Sequence, residues 1–168
     1  MTPDVPAESL DAESLHEDFA PPLSRMLLVV VALLGIFVAG YLTLHRFGYI
    51  GTLQCSVVGG CETVQASAYA FFPPRTMVPW GMSVALIGLI GYAVLFVIGL
   101  IGLQPGHVRS RWVARSLLGL SGAAFVFSIW LTYIEAEVLE AWCQWCVVSA
   151  ILIGIIFLLS LPGLRAAR

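Results

Sequence analysis

The chain has 168 residues, 60% hydrophobic and 11% charged, with a net charge of −2 and a mean hydropathy of +0.95. A water-soluble domain carries about 25% charged residues to cover its surface, so most of this chain has lipid as its solvent. Its basic residues are eight arginines with no lysine, and no basic patch with interleaved aromatics occurs, which argues against nucleic acid as a partner.

Residues 1–24 differ in composition from the rest. They hold Asp4, Glu8, Asp11, Glu13, Glu17 and Asp18, several prolines and few large apolar side chains. Such a stretch cannot bury enough surface to offset its chain entropy, and reads as a disordered acidic tail. It lacks the basic n-region of a secretory signal, so the first span is expected to stay attached. Four apolar runs follow, at 26–44, 80–103, 112–134 and 142–161. Each is close to the roughly 20 residues a helix needs to cross a bilayer. Gly35, Gly40, Gly88, Gly91, Gly119 and Gly122 lie inside them and read as sites of close helix approach. The predicted fold is an all-α membrane protein, a four-transmembrane-helix bundle with one sizeable extramembrane segment.

Arginine placement gives the orientation. Arg25 precedes the first span, Arg109, Arg111 and Arg115 surround the second loop, and Arg165 and Arg168 follow the fourth span. The positive-inside rule makes that side cytoplasmic and puts both termini there. Residues 45–79 and the short turn at Glu135–Glu140 then face outward. The 45–79 segment reads as a turn-rich loop, a short helix starting near Cys61 and a stop at Pro73 and Pro74. Its apolar content suggests a cap over the helix ends. Glu135, Glu137 and Glu140 read as a solvated turn, the other reading being acceptance of protons released by nearby thiols.

The four cysteines form two pairs, Cys55 and Cys61 as C-x5-C and Cys143 and Cys146 as C-x-x-C. Two membrane crossings separate the pairs, yet all four fall on the predicted outer side. A C-x-x-C in the first turn of a helix has its thiolate stabilised by free N–H groups and the positive end of the dipole, and thiolate is the attacking species in disulfide exchange. Cys143 reads as the more exposed sulfur and Cys146 as the deeper one. Trp142 and Trp145 read mainly as interfacial anchors, with a wall for an apolar ligand as the other reading. Gly59 and Gly60 would let the loop pair swing between partners. A structural disulfide is the competing reading of the loop pair. A four-cysteine zinc site fits poorly, because its usual spacing is two C-x2-4-C knuckles, and no metal is expected.

These motifs occur in a particular order. The C-x5-C pair leads to a short helix and Ser67, then to Pro79-Trp-Gly-Met-Ser-Val-Ala-Leu-Ile-Gly-Leu-Ile-Gly-Tyr92, and finally to Tyr133-Ile-Glu-Ala and Trp142-Cys-Gln-Trp-Cys146. In this the chain resembles the bacterial branch of the vitamin K epoxide reductase family over roughly residues 26–162. The analogous four-helix quinone reductase of many proteobacteria has its C-x-x-C first, the reverse order. The resemblance implies a membrane domain at 25–164, with the 45–79 segment and its half-helix capping the active site. It implies a quinone, ubiquinone or menaquinone, as electron acceptor. It also implies a separate thioredoxin-like protein as external partner and a bacterial cytoplasmic membrane as location.

The same resemblance suggests residue roles. Cys146 would face the quinone and Cys143 would exchange with the loop. Cys61 would form the transient bridge to Cys143, and Cys55 would meet the partner. Ser67, Met77, Trp80, Trp145 and Ala150 would lie about the quinone. Vertebrate members carry a tyrosine where this chain has Ala150 and an asparagine near the position of Met77. Both differences favour simple quinone reduction over reduction of the epoxide. A non-enzymatic membrane assembly protein with structural disulfides is the alternative.

Overall fold

The computed structural model describes residues 23–55, 60–74, 81–107 and 110–166. Nearly all of the acidic tail therefore lies outside the described residues, as do Gly59, Arg75, Met77, Trp80 and Arg109. Four long helices dominate: α1 (Leu23–Arg46), α3 (Val84–Ile101), α4 (Arg111–Glu137) and α5 (Gln144–Ala166). All four are long and apolar enough to cross a membrane. Between α1 and α3 the chain forms a six-residue helix α2 (Cys61–Ala66), a 3-10 turn (Ala68–Ala70) and a two-residue strand β1 (Phe71–Phe72). The short helix thus begins at Cys61, where the sequence places it.

The third helix in chain order starts at Val84, four residues later than the apolar run, because Met82–Ser83 is extended. This pair forms β2 and lies antiparallel to β1, with Phe71 opposite Ser83 and Phe72 opposite Met82. Gly81 makes the close approach possible. A Cβ there would sit 2.6 Å from the Pro73 carbonyl oxygen and 2.7 Å from the Phe71 Cβ. This small sheet fastens the cap to the start of α3.

In the bundle α1 packs on α3 and α5, and α4 packs on α5 and α3. The buried centre includes Leu28, Ala32, Ala39, Tyr92, Leu95, Val113, Leu117, Ile153 and Ile156. Large apolar side chains cover the outside as well, among them Phe37, Val97, Val126, Ile129 and Leu158, as expected where the surrounding solvent is hydrocarbon. Arg25 sits inside this apolar wall. It is buried, and its guanidinium donates to the carbonyl oxygens of Gly102 at 2.8 Å and His107 at 3.2 Å, satisfying carbonyls beyond the last turn of α3.

The small residues divide into two groups. Gly122 lies against Phe157, and Gly35 lies so close to Tyr92 that a Cβ would overlap the ring, whereas Gly91 and Gly119 have open space around them. Gly35→Ala is therefore expected to cost about 1–3 kcal/mol by overpacking and to lower the thermal midpoint in detergent. Gly119→Ala should leave the midpoint unchanged or raise it slightly. Equal midpoints for the two variants would remove Gly35 from the packing account.

Candidate functional site

The four cysteines converge at one end of the bundle, under and within the cap. Cys55 and Cys61 are joined in a disulfide with Cα atoms 6.4 Å apart, while Cys143 and Cys146 are free thiols. Cys61 and Cys143 are 1% and 0% exposed, and they pack in one apolar cluster with Leu42, Leu53 and Val64. The half-helix α2 thus lays its first residue directly over the entry to α5.

Several contacts fix the cap there. Arg46, at the end of α1, donates to the Gln65 carbonyl at 3.1 Å, and its guanidinium lies 4.3 Å over the Phe71 ring. The Gln54 backbone N–H donates to the Tyr41 hydroxyl at 3.2 Å, and the Trp145 indole N–H donates to the Gln54 carbonyl at 3.1 Å. The Tyr41 and Trp145 rings lie 5.0 Å apart. Trp145 therefore holds the residue beside Cys55, an arrangement that neither the anchor nor the ligand-wall reading contains.

Two expectations change here. Gly60 is no loose hinge: a Cβ on it would sit 2.9 Å from the Trp142 backbone N and O and 3.1 Å from the Ala141 Cβ. The glycine is needed because two backbones meet. The exposure order of the C-x-x-C is also reversed. Cys143 is fully covered by the cap, whereas Cys146 is partly exposed and faces a cavity. The helix entry alone made Cys143 look outermost, and the overlying loop turns that around.

Glu135 is the residue that sequence reasoning placed wrongly. It is 5% exposed, and its carboxylate accepts a hydrogen bond from the Cys143 backbone N–H at 3.2 Å. The same carboxylate lines a cavity that Cys146 also lines. Glu137 and Glu140 are exposed, as a solvated turn requires. A signal did exist. An acidic residue in the last turn of a helix opposes the dipole, so its presence directly after an apolar run points to another use. The Cys143 thiol, at the mouth of α5, is held below its ordinary range chiefly by the hydrogen bond from the Cys146 thiol. Backbone N–H groups of Cys146 and Trp145 assist, while burial and the Glu135 charge oppose.

The cavity has a volume of about 390 Å3 and runs between α3 and α4 beneath the cap, a size in the range of small-molecule sites. Its walls are mostly apolar, from Val84, Ile87, Leu95, Leu120, Phe127 and Leu131. Its polar lining residues include Gln65, Ser67, Tyr69 and Glu135, and Cys146 lines it too. One turn along α5, the Tyr92 hydroxyl lies 2.8 Å from the Ser149 carbonyl, to which it donates, and 3.0 Å from the Ser149 hydroxyl. Of the residues expected about a quinone, Ser67 lines the cavity, whereas Trp145 and Ala150 do not. Ser67 ends α2, and its hydroxyl donates to the Val64 carbonyl at 2.7 Å.

The arrangement gathers a disulfide, a buried thiol and a second thiol that lines a cavity, with a carboxylate on the backbone N–H of the first thiol residue. The family model described as "Vitamin K epoxide reductase family" matches residues 26–161.

Proposed function

Because the chain belongs to the vitamin K epoxide reductase family and is thereby a membrane thiol-disulfide oxidoreductase, we propose that it oxidises an external thioredoxin-fold protein and delivers the electrons to a membrane quinone. The observation that carries this reading is the order of the sulfurs. Cys61 packs against the same buried cluster as Cys143, and Cys146 opens on the apolar cavity.

The partner's dithiol reduces the Cys55–Cys61 disulfide and leaves oxidised. Cys61 thiolate then attacks Cys143 in a Cys143–Cys146 disulfide, forming a Cys61–Cys143 bridge and releasing Cys146 thiolate. Cys55 attacks Cys61, which restores the loop disulfide and frees Cys143. The redox state described above, loop pair oxidised and C-x-x-C reduced, is the product of that exchange. The depressed proton affinity of Cys143 makes it a good leaving group in this step.

The cavity suits a quinone. Its apolar walls match a hydrocarbon-substituted ring, and Gln65, Ser67 and Tyr69 are polar neighbours for ring carbonyls beside Cys146. When bound, the quinone supplies a two-electron acceptor that takes up two protons. The resemblance to bacterial members suggests a bacterial cytoplasmic membrane, and the arginine distribution favours the cysteines outside and both termini inside.

Purified protein supplied with a reduced thioredoxin-fold donor is expected to convert ubiquinone or menaquinone to quinol, one per dithiol consumed, followed by absorbance. No quinone consumption with all four cysteines intact would return the chain to a stapled assembly protein.

A further inference from the structure

We propose that Glu135 is the proton acceptor for the Cys146 thiol, so that this side chain is catalytic as well as a cap on the entry to α5. The inference rests on the dithiol-to-quinone reading above and assigns a residue that the cysteine relay leaves out.

Four observations carry it. Glu135 is buried at the end of α4, in an otherwise apolar setting where an acidic side chain is costly unless used. It lines the same cavity as Cys146. Its carboxylate accepts at 3.2 Å from the N–H of Cys143, three residues before Cys146 at the entry to α5. Among the described residues, no arginine or histidine lines that cavity, so no cation is there to hold the carboxylate as an ion pair. The titratable groups around the same cavity are Cys146 on α5, Tyr69 on the cap and Tyr92 on α3, with Cys143 covered beside them. Of these, the ionised carboxylate is the acceptor, and on taking a proton it becomes a donor.

The step balances. Cys146 passes its proton to Glu135 and becomes a thiolate. Cys143 loses its own proton and bonds to the Cys146 sulfur, closing the disulfide. The two electrons released go to the quinone, which also takes two protons. One comes through Glu135 and the other is the proton lost by Cys143. Glu135 ends as it began, ionised.

Glu135→Gln separates this role from capping, because the amide oxygen can still accept from the Cys143 N–H. Two measurements decide it in full-length protein in detergent. Quinone reduction by Glu135→Gln is expected to fall about 100-fold or more, in the range of a lost general base. The second measurement needs no quinone: alkylation of Cys146 in the reduced protein by N-ethylmaleimide, quantified by peptide mass spectrometry as pH varies. With Glu135 taking the proton as the sulfur attacks, the alkylation rate follows the ionised carboxylate and stays nearly flat across the neutral range. In Glu135→Gln the proton must leave to solvent, so the rate should climb about tenfold per pH unit.

A Glu135→Gln variant with wild-type turnover would overturn the assignment, and so would parallel pH slopes in the two proteins. Loss of turnover in Glu135→Ala alone, with Glu135→Gln intact, would reduce the residue to a cap. Should the unmodified protein reduce no quinone, the function proposed above fails, and the alkylation slopes still decide the carboxylate's part.

Discussion

Cys146→Ala is expected to stop quinone reduction, by about 10^4-fold or more, as removal of a reacting nucleophile does in other enzymes. The size of the effect follows from position. Cys146 is the cysteine that lines the cavity, and Cys143 beside it is fully covered. No other cysteine can substitute at the ring without moving the cap. A companion variant tests the direction of the relay. Cys55→Ala with Cys146→Ala leaves Cys61 and Cys143, each without a resolving thiol. Mild oxidation should then convert the protein to a stable Cys61–Cys143 disulfide, identified as a cross-linked peptide by mass spectrometry without reductant. Retained quinone reduction by Cys146→Ala, or failure of the Cys61–Cys143 bridge to form, would remove the division of labour between the pairs. A merely structural loop disulfide predicts neither result.

How much of this was legible follows from the kind of signal each feature leaves. The four spans are legible because about 20 apolar residues in lipid have few alternatives to a helix. The half-helix at Cys61 is legible from its flanking glycines and prolines. The β1–β2 pairing is not, since two-residue strands leave no periodic pattern. Met82–Ser83 reads as part of an apolar run until Phe71–Phe72 is placed beside it. Within the site, the cysteine spacing shows which sulfurs pair but not which are covered. Cys143 looks outermost along the chain, and contact with a segment some 80 residues earlier buries it. Glu135 shows the same limit. Its neighbours in sequence, Glu137 and Glu140, are solvated. Only the return of the chain into α5 brings the Cys143 N–H to its carboxylate.

Gly60→Ala is expected to slow donor-driven turnover by about ten- to a hundredfold, because displacements near 1 Å at a reacting pair carry penalties of that order. The glycine lies where the cap backbone meets that of Trp142. An added Cβ would stand 2.9 Å from both the N and the O of that residue. Neither atom belongs to a side chain that can swing away. The φ of Gly60 is −92°, a value any residue adopts, so the demand for glycine comes from space alone. To accept a methyl group, the start of α2 must lift from α5, and Cys61, the next residue, must lift with it. Cys61 then meets Cys143 less often, while the cavity and Cys146 stay in place. The loss should accordingly be confined to one half of the cycle. A single turnover of prereduced Gly60→Ala with quinone should match the unmodified protein, and reduction by the external dithiol should be slow. Gly51→Ala, in the same loop with nothing within 4 Å, should behave normally in both assays. If Gly60→Ala keeps full donor-driven turnover, close apposition of α2 and α5 is not what couples the two cysteine pairs.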